Sequence, residues 1–252
     1  MENKEALVNY CLRIGDSSLV LAQRLAEWCS NGPMLEEDIA LTNISLDLFG
    51  QSRMLYNYIA ELNGKGETED SIAFGRNERA FYNVLLSERP NGHFGDTIVR
   101  GLLVDAFNFH FYTQLQNSKN ETLAAFAEKS LKEVTYHLRH SSEWVVRLGD
   151  GTEESKEKVQ ASLNDLWKYT DDLFEMNEDD IVLVADGIAI DLTAIKPLWL
   201  ETVTSVVKRA TLTLPENGYM HKGSRKAVHS EYLGHLLCDM QYLQRAYPDA
   251  KW

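Results

Sequence analysis

The sequence predicts an all-α protein, an antiparallel helical bundle, on three observations. Apolar residues recur at a 3.6-residue period through stretches of roughly 20–28 residues. Short, breaker-rich connections join these stretches, as they do between antiparallel neighbours. Only five prolines and fifteen glycines stand among the 252 residues, and no run alternates as a half-buried strand would.

The first helix is expected over 4–29, with Leu7, Tyr10, Cys11, Ile14, Val20, Leu21, Leu25 and Trp28 on its apolar face. Ser30-Asn31-Gly32-Pro33 ends it. A second runs from about Glu36 to Leu62. Its first turn holds Glu36, Glu37 and Asp38, which suit the positive end of the helix dipole. A third is expected over 70–89, a fourth over 95–116 and a fifth over 121–148, closed by Gly149-Asp150-Gly151. Thr152 reads as the N-cap of a sixth reaching Met176. The stretch 177–191 is acidic and then β-branched, so it is expected to be irregular with a short extended segment. Helices follow over 193–212 and 230–246, with a loop at 215–225. No Pro/Ser-rich linker interrupts the chain, so residues 1–252 are expected to form a single ferritin-like domain with additional helices.

A net charge of −13 argues against nucleic-acid binding, because phosphate contacts need a basic face. No apolar run approaches the ~18 residues of a membrane span. Cys11, Cys29 and Cys238 are few, odd in number and not paired in spacing. They fit small buried hydrophobes in a reducing, cytoplasmic setting rather than a disulfide framework. No nucleotide-binding loop or serine elbow is present.

Ferritin-like di-iron bundles place one carboxylate on each of two helices and Glu-x-x-His on each of two others. Positions i and i+3 share a face, so one helix presents an oxygen and an imidazole together. Two stretches here occupy that frame without most of the ligands. Their pairs are Leu48/Gln51 and Val134/His137. Mirroring position 48 about the first turn lands one residue from Asp16. Mirroring 134 about the turn near 119 lands one residue from Asp105. The two hairpins thus read as a weak internal repeat carrying vestigial positions Asp16, Leu48, Gln51, Asp105, Val134 and His137. Leu and Val at the bridging positions cannot neutralise two irons, so no catalytic, cofactor-binding or metal-ligating residue is expected. Asp16 and Asp105 are expected either on the helix surface or in a buried polar network with neighbours such as Arg53, His137 or Gln51. The alternative is a cryptic metal site of Asp16, Asp105 and His137, with Gln51 a poor fourth ligand. Glu78 and Glu133 in Glu-x-x-aromatic frames, and Glu231 with His235, read as ordinary surface. His221 and His229 form no recognisable ligand pair.

Four runs resemble the family of C subunits of bacterial 1,2-phenylacetyl-CoA epoxidases. They are Tyr10-Cys11-Leu12-Arg13-Ile14-Gly15-Asp16, residues Leu35 to Ile44, residues Tyr136 to Thr152, and residues Met240 to Pro248. The resemblance spans almost the whole chain. It implies a ferritin-like, non-catalytic structural subunit of a multicomponent monooxygenase in phenylacetate catabolism. A homologous A subunit would carry the di-iron centre and the substrate pocket. Other subunits and an NADPH-dependent reductase would complete the complex, which epoxidises the aromatic ring of phenylacetyl-CoA. This chain would carry no cofactor of its own. The alternatives are an oxidase using the cryptic site and a stand-alone scaffold. A large apolar interface is implied. Phe107, Phe109, Phe111, Tyr112, Tyr56 and Tyr58 are its candidates, unless they form core, with His137, Arg139, His140 and Arg147 as a charged rim. Alone, the chain is expected to be capable of homodimerising.

Overall fold

A computed structural model describes residues 3–248 and 250. The fold is all-α and ferritin-like in its antiparallel helix hairpins, with additional helices packed on them. Contacts divide it into two compact units, residues 1–90 with 223–252, and residues 91–222.

The first unit is built on α1 (Lys4–Ala26) and α2 (Leu35–Asn63). Leu7, Cys11, Val20 and Leu21 on α1 and Leu41, Leu48, Leu55 and Ile59 on α2 are all buried. Gly15 lets the helices approach closely: a Cβ there would stand 2.9 Å from the Tyr56 ring. Ser45 Oγ donates to the Ala22 carbonyl at 2.8 Å and sets the register. By that register about a turn and a half of α2 runs past the end of α1. α2 stops at Gly64, whose φ of 64° glycine adopts without strain.

The expected third helix is broken into α3 (Glu69–Gly75), a 3-10 turn at Glu78–Ala80 and the single-turn α4 (Leu85–Glu88). The reason lies on α1. The backbone N–H of Tyr82 donates to the Asp16 carboxylate at 2.9 Å, and that of Val84 to Ser17 Oγ at 3.1 Å. Those donors cannot also serve a helix ladder.

The second unit is built on α5 (Phe94–Leu115) and α6 (Glu121–Gly149), joined by α7 (Glu153–Trp167), α8 (Glu178–Ala185) and α9 (Leu192–Arg209). Trp199 is its largest fully buried side chain. The indole donates to the Leu103 carbonyl at 2.9 Å and stacks on Trp167. α7 ends nine residues before Met176, and a 3-10 turn follows at Thr170–Phe174. The stretch expected to be irregular contains α8. Asn177 accepts from the Asp180 N–H, Asp180 returns the bond, and Glu178 and Asp179 complete an acidic first turn. Capping and dipole overrule the weak helix propensity of Ile181, Val182 and Val184. In the first unit, α10 (Glu231–Ala246) closes the chain. No described helix is long and apolar enough to cross a membrane.

Candidate functional site

The six positions picked out in the sequence fall in the two hairpins, three in each unit. Asp16 is fully buried on α1. Its carboxylate accepts four hydrogen bonds. Arg76 donates through Nη1 at 3.0 Å and Nη2 at 2.5 Å, Tyr56 Oη donates at 2.6 Å, and the Tyr82 N–H at 2.9 Å. Arg76 is equally occupied. Its Nε donates to the Ile72 carbonyl, Nη1 also to Ala80 and Nη2 also to Tyr56, while the guanidinium lies 4.1 Å over the Phe81 ring. Burial works against the Arg76 charge, but Asp16 and Tyr56 outweigh it and hold the proton more firmly than usual. Burial, then the Asp16 charge, pushes the Tyr56 phenol well above its ordinary range. The site is a desolvated, bidentate ion pair with every strong donor and acceptor engaged.

Arg53 is not part of it: it lies exposed on α2 and pairs with Glu69. Leu48 and Gln51 are buried on α2. The mirror construction put position 48 level with Asp16, whereas Gly15 packs against Leu55 and Tyr56. The overhang of α2 beyond α1 accounts for this slip. Arg76 escaped sequence reasoning because the expected third helix hid it, and only the break at Gly75 aims it inward.

In the second unit the register holds more closely. Gly101 packs against Ser141, so Asp105 comes level with His137. Asp105 is buried and accepts from Ser141 Oγ at 2.8 Å. Burial raises its carboxyl to about 6, against the opposing pull of His137, the Ser141 hydrogen bond and His140. Val134, one helical turn before His137, is buried at 0 % exposure. His137 is buried too, and so belongs to no surface rim, unlike the exposed Arg139 and Arg147. Of the aromatic candidates, Tyr56, Phe107, Phe111 and Tyr112 are core, while Tyr58 and Phe109 are half-buried. Among the described residues, no three His, Cys, Asp or Glu side chains gather as ligands for one metal ion.

The buried acid Glu88 was not anticipated. Glu88 closes α4 at 0 % exposure and receives Asn83 Nδ2 at 3.0 Å and both the N–H and Oγ of Ser230, at 2.8 and 2.6 Å. His229 approaches it through Nδ1 at 2.5 Å and meets the Phe81 carbonyl through Nε2 at 2.8 Å. A carbonyl only accepts, so Nε2 carries a proton. The carboxylate, already served by three donors, accepts from Nδ1 as well. Donation from both ring nitrogens favours the imidazolium form of His229. Burial disfavours that charge, but the Glu88 hydrogen bond and charge more than offset it, and its pKa is raised. His221, by contrast, stacks on Tyr169 in the second unit.

The family model described as phenylacetic acid catabolic protein matches residues 1–252. The chain belongs to that family. Within the phenylacetic acid catabolic proteins it is similar to the C subunit of the 1,2-phenylacetyl-CoA epoxidase of Escherichia coli (strain K12). The two are 47% identical over 246 residues, covering 98% of this chain and 99% of that one.

Proposed function

We propose that this chain is the structural, non-catalytic subunit of a multicomponent monooxygenase that epoxidises the aromatic ring of phenylacetyl-CoA. Its partner is a homologous subunit that holds the di-iron centre. Further subunits and a reductase complete a cytoplasmic complex. The observation that carries this reading is the end-to-end match to the C subunit of an epoxidase.

The donor set supports a role without iron. Two irons need bridging carboxylates, and Leu48 and Val134 supply none. The Asp16 carboxylate has its acceptor sites taken by Arg76, Tyr56 and Tyr82. A cation there would have to displace a buried guanidinium. The oxidase alternative built on Asp16, Asp105 and His137 is therefore not favoured, and no redox step is assigned to this chain.

Anaerobic loading with Fe(II), followed by elemental analysis, tests the absence of iron. Co-purification with the iron-bearing subunit tests the assembly. We expect negligible iron and a stable complex. Two irons per chain would overturn the first half of the reading, and failure to associate the second.

A further inference from the structure

One face of α10 lies open along a groove whose other wall is the 3-10 turn at Glu78–Ala80. Eight residues of α10 line it: Leu237 and Gln241 are buried at its floor, Ala246 stands at its end, and Glu231, Gly234, Cys238, Tyr242 and Arg245 form a stripe along it. The spacings within the stripe place all five of its residues on one side of the helix, over ~21 Å. Tyr242 is 66% exposed, a large aromatic ring with nothing over it. Arg245 is held in place by the Arg76 carbonyl at 2.9 Å and Asn77 Oδ1 at 3.0 Å, so its fork is ordered in advance.

The order of these residues is symmetric about Cys238. Glu231 and Arg245 lie equally far on either side of it, and so do Gly234 and Tyr242. A second α10 laid antiparallel, with the two Cys238 residues facing each other, sets Glu231 against Arg245 and Gly234 against Tyr242 at both ends. Charge meets opposite charge. The bulkiest residue of the stripe meets the one without a side chain, beside the Glu78 carboxylate, which a Cβ on Gly234 would meet at 3.4 Å. A surface complementary to itself in this way is what a two-fold interface requires, because each contact must occur twice. The occupant is thus argued from charge and shape together. The cysteine contributes only a reporter position.

We propose that this groove is a two-fold interface between two copies of the chain, formed by antiparallel α10 helices centred on Cys238. Glu78 and Arg79 flank the incoming helix. The contact rests on one helix and a short wall, less than the ~800 Å² per partner of a standard interface. The contact is therefore a weak one, dependent on chain concentration, and it weakens with salt.

The test uses the full-length chain with Cys29→Ser, which leaves Cys238 as the exposed thiol beside the buried Cys11. Facing Cα atoms at the centre of such a helix pair stand about 4–6 Å apart, within disulfide range. Mild oxidation with diamide should give a crosslinked dimer that Cys238→Ser abolishes. Sedimentation velocity should show a concentration-dependent dimer. Glu231→Arg should weaken it at least tenfold, and the double variant Glu231→Arg/Arg245→Glu should restore it. Circular dichroism checks that each variant is folded. Three results would overturn the proposal: a monomer at every concentration, a dimer that neither crosslinks at Cys238 nor responds to Glu231→Arg, or a double variant that fails to recover.

Discussion

Arg76 is the residue on which the unit-1 site turns. It is the cation that a buried carboxylate needs once no metal neutralises it. Removing one partner of such a pair leaves an uncompensated charge in the core, at a cost of about 3–5 kcal/mol. Arg76→Met should therefore destabilise the chain by that order in urea unfolding. Arg76→Met combined with Asp16→Leu should cost clearly less than Arg76→Met alone. If the double variant is the worse of the two, the charge argument fails and packing of the guanidinium is what matters. Asp105 behaves oppositely. Its carboxyl sits near 6 when folded and at its ordinary 3.8 when unfolded, because burial disfavours the charge. A raised folded pKa means stability that is complete below ~4 and lost as pH climbs through ~6. Asp105→Asn removes that loss. It should stabilise the chain by on the order of 3 kcal/mol at pH 7.5 and by roughly a third of that at pH 4.5. A difference that is constant across this window would show that the charge of Asp105 is irrelevant to its cost.

At the scale of elements, local chemistry and long-range donors decide between competing readings. The long helices α1, α2, α5 and α6 were legible because their apolar period persists over many turns. α8 was not, since β-branched residues suggested an extended segment and the Asn177 cap outweighed them. The break after α3 was illegible for a different reason: the groups that capture the Tyr82 and Val84 amides lie more than sixty residues earlier. The start of α10 depends on the same kind of distant partner. Ser230 makes no side-chain cap of its own, and the Glu88 carboxylate takes its N–H instead. His229 adds the compensating charge. Its folded pKa is raised, so its contribution is full below the ordinary histidine value of 6.5 and falls as pH rises through the folded value. His229→Gln should therefore lower stability more at pH 6 than at pH 9. Amide exchange in the first turns of α10 should quicken in the same variant. A penalty that grows with pH would contradict an imidazolium at this position.

At the scale of the molecule, the pairing of helices into hairpins was legible. Two hairpins, each with a buried acid on the first helix, stand where the internal repeat placed them, one in each compact unit. What spacing could not give was the partner of each acid, because a slip of one or two turns between helices changes which residue faces it. Charge was legible throughout and has its own consequence. Thirty-eight acids against twenty-five Lys and Arg leave the chain at −13. Its exposed ion pairs, such as Lys158 with Glu154 and Lys168 with Asp165, are short-range and contribute little to stability. The surplus of acids repels over distances that salt screens, from about 30 Å at 0.01 M to about 8 Å at 0.15 M. Long-range repulsion should thus lose more to added salt than the local pairs do. Raising sodium chloride from 0.01 to 0.15 M is expected to increase the melting temperature by a few degrees, read by circular dichroism at pH 7.5. A fall would mean that local pairs, not net charge, govern the surface. The Glu231–Arg245 contacts between copies would be screened in the same range, so the melt is best followed at low chain concentration, where the proposed dimer dissociates.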